Sequence, residues 1–346
     1  MTSQRLMYLG TADGVLELRE ADGRWEHERT LLPGKHVQAF VAPEGTSLMY
    51  AKLRDGIYTS SDRGASWDHA FAGSVYYLHV DPSNPSTVYA GMEPVALFRS
   101  QDCGDSWVEL TSLRRQPDAA RDKWWFPQYP YDGHVKSMHI EPHDSRRIYV
   151  AIEHGGFLRS DDFGVSWEDI TDGIEYIDCH IVHSHPTREN VVFGGTARAL
   201  YRSEDYGRDW VQVESGITRD DVVAFAVLGG ERPALFLTAT KGSPPSWLRP
   251  TGAESGVFRS LDDGVSWHQL EGGLPEMIVR PTNGMCADPV DGDRVYFSAS
   301  EFMGNYAVAG GAVKGGEIWM SPDRGDSWSC VHQEPKPIQL LAVTRN

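Results

Sequence analysis

The chain has 346 residues, with 49 Asp and Glu against 32 Lys and Arg and a formal net charge of -17 at pH 7. That balance argues against nucleic-acid binding, because no excess of cations is on hand to neutralise phosphates. A hydrophobic share of 40% with 35 Gly and 11 Trp excludes a disordered chain and suits a turn-rich all-β one.

The first residues, MTSQRLMYLGTADG, carry no apolar core of signal-peptide length. No apolar run approaches the ~20 residues of a membrane span. Cys103, Cys179, Cys286 and Cys330 follow no disulfide-framework or CxxC spacing. The expectation is a soluble cytoplasmic protein with free thiols, no nucleotide-cofactor signature and no membrane partner.

In chain order, Leu6–Leu9, Val15–Leu18 and the run from Trp25 are predicted strands B, C and D of a first sheet that lacks its strand A. Further four-stranded units are predicted over about 36–70, 74–111, 134–171, 178–214, 221–271 and 281–332. In the unit at 74–111, Val75–Val80 is strand A, Thr87–Ala90 strand B, Ala96–Arg99 strand C and Trp107–Leu110 strand D. These runs are rich in Val, Tyr and Phe and are punctuated by Pro, Asn and Gly, the ordinary signals of strands and turns. The chain ends in Ile338–Val343, a strand A with no sheet of its own. The missing piece and the spare piece match, so the C-terminal strand is expected to complete the first sheet and close a ring.

Six segments share the pattern Ser-x-Asp-x-Gly-x-(Ser/Asp)-Trp, beginning at Ser60, Ser100, Ser160, Ser203, Ser260 and Ser321. A worn seventh copy is Asp22-Gly23-Arg24-Trp25. The central Asp residues at 62, 102, 162, 205, 262 and 323 are spaced by 40, 60, 43, 57 and 61. The shortest spacing is one four-stranded blade, and the longer ones are a blade plus an insertion. The Asp carboxylate can accept backbone N–H bonds across a tight turn. The Gly supplies a positive φ, and the Trp anchors neighbouring sheets.

On these motifs the chain resembles the Asp-box (bacterial neuraminidase repeat) propellers over nearly its whole length. That group includes sialidases, xyloglucan-cleaving glycosidases, sortilin-type receptors and photosystem assembly factors. The resemblance implies a single domain over 1–346, an all-β seven-bladed β-propeller closed by its C-terminal strand. It also implies that the boxes are structural turns on the outer rim, so their Asp residues are not read as catalytic.

In a propeller the D–A and B–C loops open on one face. Three insertions fall there: 112–133, 241–256 and 301–316. Convergent loops on a rigid scaffold suggest a pocket. The first holds Trp124, Trp125, Phe126, Tyr129 and Tyr131, an aromatic lining for a small-molecule or glycan substrate. The other two are rich in Gly, Ser, Pro and Ala.

Aligning the A strands on their terminal prolines puts Phe40, His79, His139, His183 and Cys286 at one level. His79, His139 and His183 are therefore candidate ligands for a Zn, Fe or Cu ion. The competing reading makes them buried imidazoles bonded to backbone or water. A second polar set lies at the strand-A entrances: His36, Tyr76, His134, Lys136, His180, Asp221 and Asn283. The strand-B ends add Glu93, Glu153, His154, Arg198 and Glu301. From these, His134, Lys136, His180, Asp221, Glu153 and His154 are the candidate acid–base residues. Tyr76, Arg198 and Glu301 join the aromatic loop as candidate substrate-binding residues.

The leading reading is an enzyme acting on a small molecule or short glycan, using metal-assisted lyase, hydrolase or oxygenase chemistry through the channel histidines. One alternative is a metal-free glycoside hydrolase of sialidase-like type, which needs two carboxylates at suitable separation. The sialidase resemblance stops at the scaffold: the Arg-Ile-Pro motif is absent and Arg198 is the one good candidate for an arginine triad. The xyloglucan enzymes clasp a long chain between two propellers, a cleft that one propeller cannot form. The other alternative is a non-enzymatic binding or assembly module.

Overall fold

The computed structural model describes residues 4–117, 121–125, 132–301 and 314–345. Phe126, Tyr129, Tyr131 and most of the 301–316 insertion lie outside them. The strands form seven four-stranded antiparallel sheets, the blades of a seven-bladed β-propeller. The chain divides into two compact units, 1–46 with 214–346, and 47–213. All four cysteines are free. Among the described residues no helix is long and apolar enough to cross a membrane.

In the first unit, the N-terminal sheet runs Leu340–Arg345, Arg5–Thr11, Gly14–Ala21, Arg24–Leu31. The C-terminal strand pairs in register from Arg5↔Arg345 to Gly10↔Leu340. It supplies strand A of the first blade, as the sequence implies. Two further sheets begin with strands Asp221–Leu228 and Thr282–Ala287. The insertion at 241–256 contains a short helical turn, Pro244–Leu248, tied back by Trp247 Nε1 donating to the Gly242 carbonyl at 2.8 Å.

The second unit holds three complete sheets, whose A strands are Val75–Val80, His134–Ile140 and Cys179–Ser184. It also holds Met49–Leu53, Gly56–Ser60 and Asp68–Ala72 of a sheet whose first strand is Ala39–Val41. Fully buried Val135, Ile148, Val150, Ile152 and Leu97 lie in one apolar cluster with Trp167. Gly91 permits the close approach of sheets here, because a Cβ there would meet Val135 at 2.6 Å.

The boxes are self-contained turns. Asp62 Oδ1 accepts the Ser66 N–H at 2.9 Å, Asp62 Oδ2 accepts the Ser66 hydroxyl at 2.6 Å, and Ser60 donates to Oδ1 at 2.8 Å. The same bonds recur at Asp102, Asp162, Asp262 and Asp323. The hydrogen bonds with Ser66 and Ser60 hold the Asp62 carboxyl down at about 2. A carboxylate so committed to its own turn is structural, as the repeat reading requires. One feature is not visible in the pattern. The residue before each Gly is also left-handed: Arg63, Cys103, Phe163, Tyr206, Asp263 and Arg324 all have φ between 57° and 65°.

Candidate functional site

The strand-A entrances of the second unit are shaped by a repeated irregularity. The register shifts between Val75 and Tyr77, between Val135 and Ser137, and between Cys179 and Ile181. The residues left out of the ladder are Tyr76, Lys136 and His180. A bulge bends the strand and re-aims its extra side chain. The first unit repeats the device at Val223 and Asn283.

Glu153 is the hub of the resulting cluster. It stands directly opposite His134 in the strand register. Its Oε2 accepts hydrogen bonds from His134 Nε2 and from Lys136 Nζ, the latter at 2.9 Å. Burial alone would push the Glu153 carboxyl up. The Lys136 charge and the His134 bond outweigh it and hold the group far below the usual carboxylate range. Lys136 answers in kind: burial lowers it, but the Glu153 carboxylate more than restores its charge.

The far side of Glu153 meets a second carboxylate. His180 Nε2 lies 3.9 Å from Glu153 Oε1 and 3.3 Å from Asp178 Oδ1. His154 Nε2 lies 3.4 Å from Asp178 Oδ2. Ligand atoms of Glu153, Asp178 and His180 all fall within 4.8 Å of one another.

On the other flank, His134 Nδ1 lies 3.7 Å from Glu93 Oε1. The Tyr76 ring stacks on the His134 imidazole with centroids 3.6 Å apart and planes 24° apart. Lys52 and Lys136 each place Nζ 5.6 Å from the Tyr76 centroid, within cation–π reach. Burial pushes the Lys52 ammonium down to about 8, partly offset by Glu93.

Trp124 packs on the apolar cluster beneath. It seats against two glycines, since a Cβ on Gly133 or Gly155 would come within 2.9 Å of it. Trp125 is 54% exposed and meets the His154 ring edge-on at 6.2 Å. A cleft of about 170 Å³ is lined by Pro94, Val95, Arg114, Arg121, Trp124 and Asp132. Pro94 follows Glu93 and Gly133 precedes His134, so the cleft opens beside the cluster.

His134, Lys136, Glu153, His154, His180 and Tyr76 are thus brought together in one cluster. Arg198 stands apart over the Tyr176 ring, 5.2 Å from its centroid. Asp221 is buried in register with Thr240 in the first unit. Glu301, also in that unit, bonds through its backbone N–H to the Gly315 carbonyl at 3.0 Å.

The metal expectation at His79, His139 and His183 is not met by their geometry. The His139 and His183 rings lie 4.1 Å apart and tilted by 31°, a ring contact and not a chelate. His139 Nε2 bonds to Ser184 Oγ at 2.7 Å, and His183 Nδ1 to the Ser184 carbonyl at 2.7 Å. Among the described residues, the ligand atoms that converge are instead those of Glu153, Asp178 and His180. The level chosen from the prolines is the buried part of strand A. The convergent groups are the bulged His180, Asp178 just before its strand, and Glu153 at the end of the strand Ile148–Glu153.

Asp178 and Lys52 were missed. Asp178 lies just before strand A, outside the proline alignment, though the spacing Asp178-Cys179-His180 is a visible hint. Lys52 interrupts the otherwise apolar strand Met49–Leu53, and a lone cation in a buried strand is a signal in its own right.

Fold and boxes together define an Asp-box β-propeller. A family profile described as BNR-Asp box repeat matches residues 200–213. Xyloglucanase Xgh74A from Acetivibrio thermocellus is 24% identical over 278 residues, 70% of this chain and 30% of that protein. A xyloglucanase from a Paenibacillus species is 20% identical over 341 residues, 89% of this chain and 31% of that protein. The chain therefore spans about a third of the length of these curated relatives. Of solved structures, the GH74 xyloglucanase from Xanthomonas campestris superposes with a TM-score of 0.61 at 17% identity, covering 85% of this chain and 45% of that one. The Niastella koreensis GH74 enzyme gives 0.63 at 16%, covering 93% and 46%. At these identities the likeness shows the fold.

Proposed function

We infer that this chain is a glycan-acting hydrolase whose working site is the cluster around Glu153 and Asp178. The observation that carries the reading is the meeting of two carboxylates and an imidazole within 4.8 Å, near a cleft that Trp124 helps to line. The xyloglucanase relatives favour hydrolysis of glycans over the lyase and oxygenase chemistries that the sequence left open.

Hydrolysis of a glycosidic bond puts a water hydroxyl on the anomeric carbon and a proton on the departing oxygen. One group must take a proton and another must give one. Glu153 stays ionised between Lys136 and His134, so it orients its neighbours and is not the donor. Proton transfer is assigned to imidazoles set against carboxylates, His134 and His154. His180 stands where the two carboxylates meet. Trp124 and Trp125 offer apolar faces for a sugar ring.

The test is product release from a panel of xyloglucan oligosaccharides, other neutral glycans and sialylated glycans. The expected result is turnover of at least one member. His134→Gln, which keeps a donor for Glu153, is expected to lower kcat by about 100-fold or more with a smaller change in KM. No turnover across the panel, with or without glycan binding, sinks the hydrolase reading. Binding alone would mark a recognition module.

A further inference from the structure

We propose that Glu153, Asp178 and His180 form a binding site for one divalent transition-metal ion. The inference takes the same cluster as the working site, as above, but ion binding can be measured apart from hydrolysis.

The spacing comes first. Ligand atoms about 2.1 Å from a tetrahedral ion lie roughly 3.4 Å from one another. His180 Nε2 stands 3.3 Å from Asp178 Oδ1 and 3.9 Å from Glu153 Oε1. These two edges lie close to that spacing, and all three residues offer ligand atoms within 4.8 Å of one another.

The second observation is an orphan. Asp178 Oδ1 is buried and accepts no hydrogen bond, although His180 Nε2 is 3.3 Å away. A buried carboxylate oxygen left in this way costs stability unless something else satisfies it. A cation between the two groups does so.

The third is the support behind the ligands. Metal-binding side chains are commonly held by outer partners that fix their orientation. Lys136 and His134 both bond Glu153 at Oε2, which leaves Oε1 turned toward His180. His154 Nε2 faces the other Asp178 oxygen, Oδ2, at 3.4 Å. Each carboxylate thus has one oxygen paired with an outer partner and the other within 4 Å of His180 Nε2. His180 is the bulged residue of its strand, between Cys179 and Ile181, so its ring is carried out of the ladder toward that centre.

The donor set selects the ion. Two carboxylate oxygens and one imidazole nitrogen suit Zn2+, Mn2+ or Fe2+. Ca2+ calls for six to eight oxygens, which this set does not supply. Lys136 cancels part of the anionic charge. Asp178, Glu93 and the remaining share of Glu153 leave the cluster able to accept a dication.

The test uses the whole chain, purified without an affinity tag and stripped with chelator, then titrated calorimetrically with Zn2+ and separately with Mn2+. The expected result is one ion per chain in the micromolar range or tighter, with a raised melting temperature. Asp178→Asn and His180→Gln are expected to weaken binding at least 100-fold, with circular dichroism confirming the fold. His139→Ala, at the other histidine level, is expected to bind as wild type does. No binding of either ion, or binding unchanged in both Asp178→Asn and His180→Gln, overturns the proposal. Turnover of a glycan at full rate in chelator overturns the ion's role and leaves the hydrolase reading standing. Tight binding with no turnover of any glycan does the reverse.

Discussion

His79, His139 and His183 show how much a residue's level along a strand decides. Burial pushes the His79 imidazole down to about 4, with Asp81 opposing and His183 adding to it. Burial, then His183 and His79, hold His139 well below its usual value, and burial lowers His183 as well. Each therefore folds as a neutral base. Below the ordinary His value near ~6.5 the unfolded chain takes up protons that the folded chain refuses. Stability should be intact above that pH and fall as pH drops toward 4. Each such group contributes a slope of about 1.4 kcal/mol per pH unit in that window. His79→Phe removes one of them. Urea unfolding at pH 7 and pH 5 should show a smaller loss for the variant than for the wild type. An equal loss in both would mean that His79 titrates alike in the folded and unfolded chains.

At the scale of the element, the Asp-box turn and the strand-A bulge are the two devices that repeat. The turn stores its order locally. Asp162 accepts from Ser166 N at 2.8 Å, from Ser166 Oγ at 2.6 Å and from Ser160 Oγ at 2.8 Å. Asp162→Ala should cost about 1–3 kcal/mol, because three donors lose their acceptor at once. The adjoining Phe163 is strained in the opposite sense: its φ is 59° and its ring is 42% exposed. Phe163→Gly should be neutral or stabilising, by up to about 1 kcal/mol. Denaturant midpoints of the two variants should move in opposite directions. If both fall together, the left-handed residue is not strained. The six boxes were plain in the sequence because Ser, Asp, Gly and Trp sit within eight residues of one another. The bulges were not, since Tyr76, Lys136 and His180 share no residue type. What they share is a place in a ladder, and only the partner strand shows it.

At the scale of the whole chain, the C-terminal strand is the decisive long-range contact. Leu340 packs where a Cβ on Gly10 would stand, 2.4 Å from its Cδ2. Gln339 N–H bonds to the Gly10 carbonyl at 2.8 Å, and Ile338 N–H to Ser300 Oγ at 2.7 Å. Ending the chain after Pro337 would strip the Arg5–Thr11 strand of its partner and expose a sheet edge. The truncated protein should melt earlier and aggregate with rising concentration, as read by calorimetry and light scattering. A truncated chain that stays monomeric and melts as wild type does would show the strand to be dispensable.

The sequence by itself determined the blade count, the boxes, the closing strand and the candidates at the strand-A entrances. All of these follow from short-range rules: alternation along a strand, turn chemistry within eight residues, and a strand lacking at one end matched by a spare at the other. Tertiary structure alone decided which of the candidates meet. Glu153 gathers His134, Lys136, His180 and Asp178 from two different strands and the approach to one of them. Tyr76 reaches His134 from a neighbouring sheet. The three aligned histidines, level in sequence, offer no common centre, because past the bulge their rings pack among buried residues. Equal spacing along a strand fixes a residue's height, but the direction of its side chain depends on the bulge and on the sheet packed beside it.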